Sequence, residues 1–345
     1  MEYEIELKLL TDEQAGETIE TKLLPQLEAR VTQKTLVLTN HYFDTPNRTL
    51  RQHDIGLRIR GNNLKFEQTL KTAGKSIGGL HQRPEYNVQL DESKNQNIDV
   101  PELKLFPLSA WPKSIDVNDV QANIQILFST HFERRVYLLE FPHGDIVELV
   151  WDLGEVMSGN KSVPICEIEL ELKKGNTATL FTLAQHIVDL LPTSIGIDSK
   201  AARGYHLLDG LPDKKIKPYQ QRSPENIQCE AEVFVNILTA LLQDFQMFSA
   251  EIRRQYSEIL TINISQVLTD IVGNLAMFIH HFPCPLLNSM RTKLQVLSED
   301  WSVVTQQNDH NSIVDLLISA QTTQIQLDLV QRLVEQSWSF NNKII

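Results

Sequence analysis

The feature that most constrains this chain is a set of strands that carry charge along one face. The first ten residues, MEYEIELKLL, alternate with period two. Glu2, Glu4, Glu6 and Lys8 fall on one side; Tyr3, Ile5, Leu7 and Leu9 fall on the other. GLRIRG sets Arg58 and Arg60 against Leu57 and Ile59, and NLKFEQTLKT groups Lys65, Glu67, Thr69 and Lys71. RPEYNVQL groups Arg83, Glu85, Asn87 and Gln89; ICEIELEL groups Glu167, Glu169 and Glu171; IVELVWDLGEV aligns Glu148 with Asp152. One such strand is ordinary in an antiparallel sheet with a solvated face. As a set they predict an inverted arrangement, a closed sheet with a charged interior and an apolar exterior covered by helices. Two segments are expected to supply the cover: TDEQAGETIETKLLPQLEA, opened by a capping box from Thr11 to Gln14, and NTATLFTLAQHIVDLL.

A charged interior calls for charged contents. Clustered carboxylates repel and lose their charge in a partly dry site unless a cation intervenes. Glu4, Glu6, Glu167 and Glu169 offer only hard oxygen donors, which suits Mg²⁺ or Mn²⁺ rather than zinc. Lys8, Arg58, Arg60, Lys71, Arg83 and Arg134 call for a polyanion, and guanidinium forks match phosphate oxygens. Carboxylate-bound metal beside a basic wall is the equipment of phosphoryl transfer.

The chain changes character near DGLPDKKIKPYQQRSPEN, which reads as a linker over 211–224. Period-two patterning dominates before it, and helical spacing dominates after it, as in VFVNILTALLQDFQMF. The expected class is therefore α+β, with a β domain over 1–210 and an all-α domain over 225–345. Cys166, Cys229 and Cys284 are widely spaced, which argues against a disulfide framework or zinc site and fits a cytoplasmic location. No run of twenty apolar residues and no secretory leader is read, so no membrane association is expected. The net charge of -12 argues against sequence-independent nucleic-acid binding, and no sequence-specific nucleic-acid partner is expected.

Six ordered blocks then point to a family: EIELK, HYFDTPNRTLRQHDIGLRIRG, GGLHQRPEYNV, WDLGEV, CEIELEL and SKAARGYHLL. Together they resemble the CYTH, or triphosphate tunnel metalloenzyme, superfamily, and within it the inorganic triphosphatases that join a CYTH domain to a CHAD-like helical domain. The resemblance implies an eight-stranded antiparallel tunnel that hydrolyses a triphosphate with Mg²⁺ or Mn²⁺. It implies Glu4, Glu6, Glu167 and Glu169 as metal ligands. Lys8, Arg58, Arg60, Lys71, Arg83, Arg134 and Lys200 become the phosphate cradle, with Lys71 also meeting charge on the leaving phosphate. Asp152 and Glu171 hold a second metal or orient the water, a role Glu169 can share; Glu148 has the same readings beside that of a structural salt bridge. Arg134 is chosen over Arg135 by its place in its block. Asn87 stands where many family members carry an acid.

The remaining motifs read as structure. His41, His53 and His81 are expected to be structural or exposed. GKSIGG lacks P-loop spacing and reads as a mobile hairpin loop at a tunnel mouth, and Ser199 reads as a turn or cap. The helical part lacks the dense His and Arg motifs of CHAD domains and carries about twice as many acids as bases. It is read as a shortened CHAD-like bundle with at most weak polyphosphate binding. Three functions stay open at this point. One is an inorganic triphosphatase. Another is a class IV adenylate cyclase, thiamine triphosphatase or RNA 5′-triphosphatase on the same fold. The third is a non-catalytic polyphosphate receptor.

Overall fold

Strands with one charged and one apolar face need a layer on each side, and closing the sheet supplies the inner one. A computed structural model describes residues 2–62, 65–90, 100–209, 218–220, 231–281, 284–307 and 309–336. The first part contains β1 (Glu2–Leu10), α1 (Ala15–Thr18), β2 (Arg30–Asp44), α2 (Thr49–Gln52), β3 (Gly56–Asn62), β4 (Lys65–Lys71), β5 (Lys75–Ile77) and β6 (Leu80–Leu90). It continues with α3 (Val117–Asn123), β7 (Gln125–Glu140), β8 (Ile146–Ser158), β9 (Lys161–Lys174), α4 (Ala178–Leu190), β10 (Ser194–Ile195) and α5 (Lys200–Asp209). The helical part holds α6 (Ala231–Arg254), α7 (Glu258–His281), α8 (Pro285–Gln306), α9 (His310–Leu317) and α10 (Ala320–Glu335). Most of the expected linker, 211–224, lies outside the described residues.

The strands run in the order β1-β9-β8-β7-β2-β3-β4-β6, and β6 returns to β1, giving a closed barrel of eight antiparallel strands. β1 closes it by dividing its length. Glu2 to Leu7 pair with β6, and Glu6 to Leu10 pair with β9. The short β5 and β10 are appended to β6 and β1. Much of the outer face is apolar and covered, although Tyr3 on β1 and Val37 on β2 remain about half exposed. Leu57, Ile59 and Leu70 pack under Leu103, Phe106 and Trp111 of the 100–124 segment. Leu7, Leu9, Ile168 and Leu170 pack under α4, and the same core runs on into Leu242, Leu327 and Val330 of the helical part.

Two expectations are corrected. The cover after β1 is not one capped helix: Asp12 Oδ1 accepts from Gln14 N at 2.9 Å, and α1 has no side-chain cap. It widens into a π turn over Ile19–Leu23 and ends in a 3₁₀ turn carrying Pro25, which cannot donate a helical hydrogen bond. The GKSIGG hairpin forms, with Gly78 at φ 54° and Gly79 at φ 94°, but the helical part pins it. Gln246 Nε2 donates to Gly78 O at 3.2 Å, and a Cβ on Gly78 would lie 2.4 Å from Val330 Cγ2. Finally, Glu232–Arg254 and Glu258–His280 are each long and apolar enough to cross a membrane. In this fold their buried faces, Leu238, Leu242 and Phe245 on α6 and Ile264, Val267 and Ile271 on α7, form the core of the helical part.

Candidate active site

All eight barrel strands and α5 line one internal cavity of about 220 Å³. On β2 the inward residues run from Lys34 to Tyr42. Lys34 and Lys65 border a second opening with Leu36, Leu38 and Val136. At the opposite end α5 lies across the barrel and contributes Ser199, Lys200 and Ala201 to the lining. Ser199 acts as the expected cap, its Oγ accepting from Ala202 N at 3.1 Å.

Near α5, a buried lysine sits among acids. Lys200 Nζ lies 2.6 Å from Asp152, 2.5 Å from Glu167 and 3.0 Å from Glu169. The three carboxylates offer oxygens within 4.8 Å of one another, a spacing that suits a metal ion. Here that position is filled by an ammonium group. Lys8 Nζ adds contacts of 3.2 Å to Glu167 and 2.9 Å to Glu169. Arg134 grips Asp152 with two bonds of 2.7 and 2.6 Å and reaches Glu169 at 2.8 Å. Arg203 donates to the other oxygen of Glu167. Burial alone would raise the Glu167 carboxyl, but Lys200, Lys8 and Arg203 hold it down at about 2. Burial likewise opposes, and Lys200, Lys8 and Arg134 outweigh, at Glu169, which is held well below the usual range.

A second network surrounds the start of β1. Lys71 Nζ lies 2.5 and 2.6 Å from the two oxygens of Glu4 and 3.2 Å from Glu85. Arg83 bridges Glu4 at 3.4 Å and Glu6 at 3.3 Å, and Arg58 stands 4.0 Å from Glu85. Burial works against the Glu85 carboxylate, yet Lys71 and Arg58 keep it at about 2.

Between these networks the charge is unbalanced. The strand registers pair Glu6 with Glu171 and Glu171 with Glu148, which makes a row of acids across β1, β9 and β8. Lys173, 2.7 Å from Glu171 and 3.6 Å from Glu148, and Arg83, which Glu6 shares with Glu4, are the cations that reach that row. Burial pushes the Glu171 carboxyl up to about 7, with Glu4 and Glu148 adding repulsion against the pull of Lys173. Across the cavity, Arg60 donates to Asn40 Oδ1 at 2.9 Å and, among the described residues, has no acid within ion-pairing distance. Burial and its neighbours Arg58 and Arg134 bring it down to about 9. The tunnel thus holds spare negative charge on one wall and spare positive charge on the other.

Residues 2–205 match the CYTH domain family. The chain belongs to the CYTH domain family. A curated relative, the inorganic triphosphatase of Haemophilus influenzae, is 39% identical over 210 residues, covering 60% of this chain and 55% of its own. The chain thus spans about half the length of that relative. Among solved structures, a Hippeastrum protein described with a dominant triphosphatase activity is 23% identical at a TM-score of 0.43, covering 59% of this chain and 95% of its own. A Pyrococcus horikoshii protein is 16% identical at a TM-score of 0.37, covering 58% and 97%.

In this CYTH domain every expected site residue lines the tunnel or bonds a residue that does. The five acids expected as metal ligands are nevertheless divided. Glu4 and Glu6 lie with the second network, while Asp152, Glu167 and Glu169 surround Lys200. Arg134 points inward, and Arg135 points out to Glu20 at 3.2 Å and over the Trp151 ring at 5.0 Å. His53 is structural, bonded to Thr49 O at 2.9 Å and Ser114 Oγ at 3.0 Å. His81 pairs in register with Glu6, and burial lowers its pKa. Asn87 accepts from Thr69 Oγ1 at 2.8 Å. Four contributors were missed: Glu85, Arg203, Lys173 and Tyr42. Arg203 follows Lys200 by one helical turn, a signal available in SKAARGYHLL. Glu85 and Lys173 continue charged faces already read. Tyr42 had no signal, because β2 does not alternate cleanly.

Proposed function

We propose that this chain is a metal-dependent inorganic triphosphatase that hydrolyses tripolyphosphate to pyrophosphate and orthophosphate inside the tunnel. The observation that carries the reading is the unbalanced pair of walls: Arg60, without an acid partner among the described residues, faces the Glu6–Glu171–Glu148 row. A linear polyanion with a divalent cation neutralises both walls at once; a polyanion alone leaves the acid row uncompensated. The name of the Haemophilus relative supports the same reading.

The acid row fits a hard divalent cation. It offers only oxygen donors, and burial with neighbouring acids already raises one of them. Glu4, Glu6 and Glu171, with Glu169 beside them, would hold Mg²⁺ or Mn²⁺, while Lys200 serves Asp152 and Glu167 as their cation. Bound there, the metal supplies charge neutralisation of phosphoryl oxygens and acidifies a coordinated water.

The chain's own residues do the rest. Arg58, Arg60 and Arg134 bind and align the phosphate chain, and Lys8 and Arg83 fix its end near the acids. The oxygen of water forms a bond to the terminal phosphorus while the bridging P–O bond breaks. The electron pair leaves on the pyrophosphate oxygen, where Lys71 meets the developing charge. The water's proton passes to Glu171, whose carboxyl burial and neighbouring acids push up to about 7. The helical part packs on the tunnel rather than gripping polyphosphate: two of its bases are ion-paired, Lys293 with Asp328 at 2.9 Å and Arg254 with Glu251 at 3.2 Å.

The test is phosphate release from tripolyphosphate, ATP, thiamine triphosphate and long-chain polyphosphate, each with Mg²⁺, Mn²⁺ or EDTA. Early phosphorus NMR of the tripolyphosphate reaction should show equal pyrophosphate and orthophosphate. Cyclic AMP from ATP would favour a cyclase. Binding without turnover in any metal would favour a receptor. Orthophosphate alone, with no pyrophosphate accumulating, would refute the geometry.

A further inference from the structure

Helix α5 brings Lys200 and Arg203 into the tunnel, yet no strand ladder holds it there. Among the described residues no backbone hydrogen bond ties it to the barrel. Side chains hold it instead, and they converge on one buried acid. Asp44 is fully buried, and Tyr205 Oη of α5 donates to its Oδ2 at 2.7 Å. The same carboxylate accepts from the next residue and from the backbone of α2: Thr45 N at 2.7 Å and Leu50 N at 2.8 Å on Oδ1, Arg51 N at 3.0 Å on Oδ2. A buried carboxylate with four donors is fixed in place, and anything bonded to it inherits that position.

The Tyr205 ring is held on two further sides. The Arg51 guanidinium lies 4.4 Å over it, and Phe128 meets it edge-on at 5.1 Å. Phe128 packs so closely on α5 that a Cβ on Gly204 would lie 2.1 Å from its ring. Phe128 also stacks at 4.9 Å on Tyr42, which lies against the Arg58 guanidinium. One rigid train of side chains therefore joins Asp44 to the end of the tunnel where Lys200 enters and to the wall where Arg58 stands.

We propose that Asp44 and Tyr205 are positioning residues that set Lys200 and Arg203 in register with the phosphate-binding wall; this rests on the triphosphatase reading above. Tyr205 is not itself among the residues that line the cavity. It acts by fixing the helix whose first turn supplies the cation among Asp152, Glu167 and Glu169. Without the Tyr205 hydroxyl, α5 samples undocked positions, and substrate affinity falls by the docked fraction.

The test is a mutant cycle on the full chain with Tyr205→Phe, Lys200→Ala and the double variant. Tyr205→Phe keeps the ring and removes one hydrogen bond to a charged group. KM for tripolyphosphate should rise about tenfold with kcat changed far less. In the Lys200→Ala background the same change should raise KM much less, because one of the two groups being positioned is gone. Amide hydrogen exchange should speed up in α5 and not in β7 to β9. A KM effect that adds fully to Lys200→Ala, or a lowered Tm with KM unchanged, would overturn the proposal and leave Tyr205 a purely structural residue. If Tyr205→Phe does not fold, Arg51→Gln, which removes the cation over the ring, carries the same cycle with the same expected outcome. If the wild type does not hydrolyse tripolyphosphate, the activity reading fails by itself; calorimetric binding of tripolyphosphate in EDTA then replaces KM, and additivity there overturns this proposal separately.

Discussion

Replacing Lys200 with Met tests the idea that a lysine occupies the three-acid cluster in place of a metal. The Nζ lies within 3.0 Å of Asp152, Glu167 and Glu169, and the side chain is 6% exposed, so its loss is not repaired by water. Removing one partner of a buried ion pair costs about 3–5 kcal/mol. Lys8, Arg134 and Arg203 still contact the acids, so the low end of that range, about 3 kcal/mol, is expected. At about 2–4 °C per kcal/mol for a domain of this size, Tm should fall by about 6–12 °C in EDTA. The vacated cluster then presents three oxygens within 4.8 Å, so Mn²⁺ should bind it. At a hundredfold excess over Kd that binding restores about 2.7 kcal/mol, nearly the whole loss. The assay is thermal unfolding with EDTA or Mn²⁺, in a Glu6→Gln background that weakens the acid row as a competing site. Equal Mn²⁺ responses with and without Lys200 would refute the reasoning, as would an unchanged Tm in EDTA.

Glu4→Gln and Glu6→Gln should each abolish tripolyphosphate hydrolysis with far-UV circular dichroism unchanged; wild-type turnover in Mg²⁺ would remove both from the metal site. Arg58→Ala should raise KM about 10- to 100-fold through lost charge-assisted bonds, whereas Lys71→Ala should lower kcat about 10²-fold or more with a smaller change in KM. Steady-state kinetics showing equal effects on both parameters at both positions would mean the roles are misassigned. Glu85, held at about 2 in the fold against 4.5 for a free side chain, contributes stability that is complete above pH 4.5 and is lost as pH falls toward 2. Glu85→Gln should therefore flatten the acid limb of a Tm–pH profile, and an unaltered limb would mean that its pairing with Lys71 contributes nothing.

Much of the barrel was legible because a strand shows its two faces directly in sequence. ExExK, RxR and ExExE each name an inward face, and the inversion followed from having too many charged faces to leave in water. β2 was harder to read. Its inward face passes from Lys34 through Leu36 and Leu38 to Asn40 and Tyr42, so polarity changes along one face and period two is blurred. The segment after β1 misled for a different reason. Its helical spacing and Thr11–Gln14 signal are real, but Pro25 and packing of Gly16 against Trp151, 2.6 Å from a built Cβ, leave room for only a short, widened helix.

By itself the sequence determined which residues of the cleanly alternating strands face the tunnel, that acids and bases share it, and that an all-α part follows. These are local properties, set by alternation within a strand or spacing along a helix. Which acid meets which base was decided by the tertiary structure alone. The shear of the closed barrel sets Lys8 against Glu169 and Glu6 against Glu171. It also lets α5, distant in sequence from β8, place Lys200 against Asp152. Ion pairing falls off over a few ångströms and depends on neighbours tens or hundreds of residues away. A period-two pattern names the face a charge belongs to and carries no information about its partner.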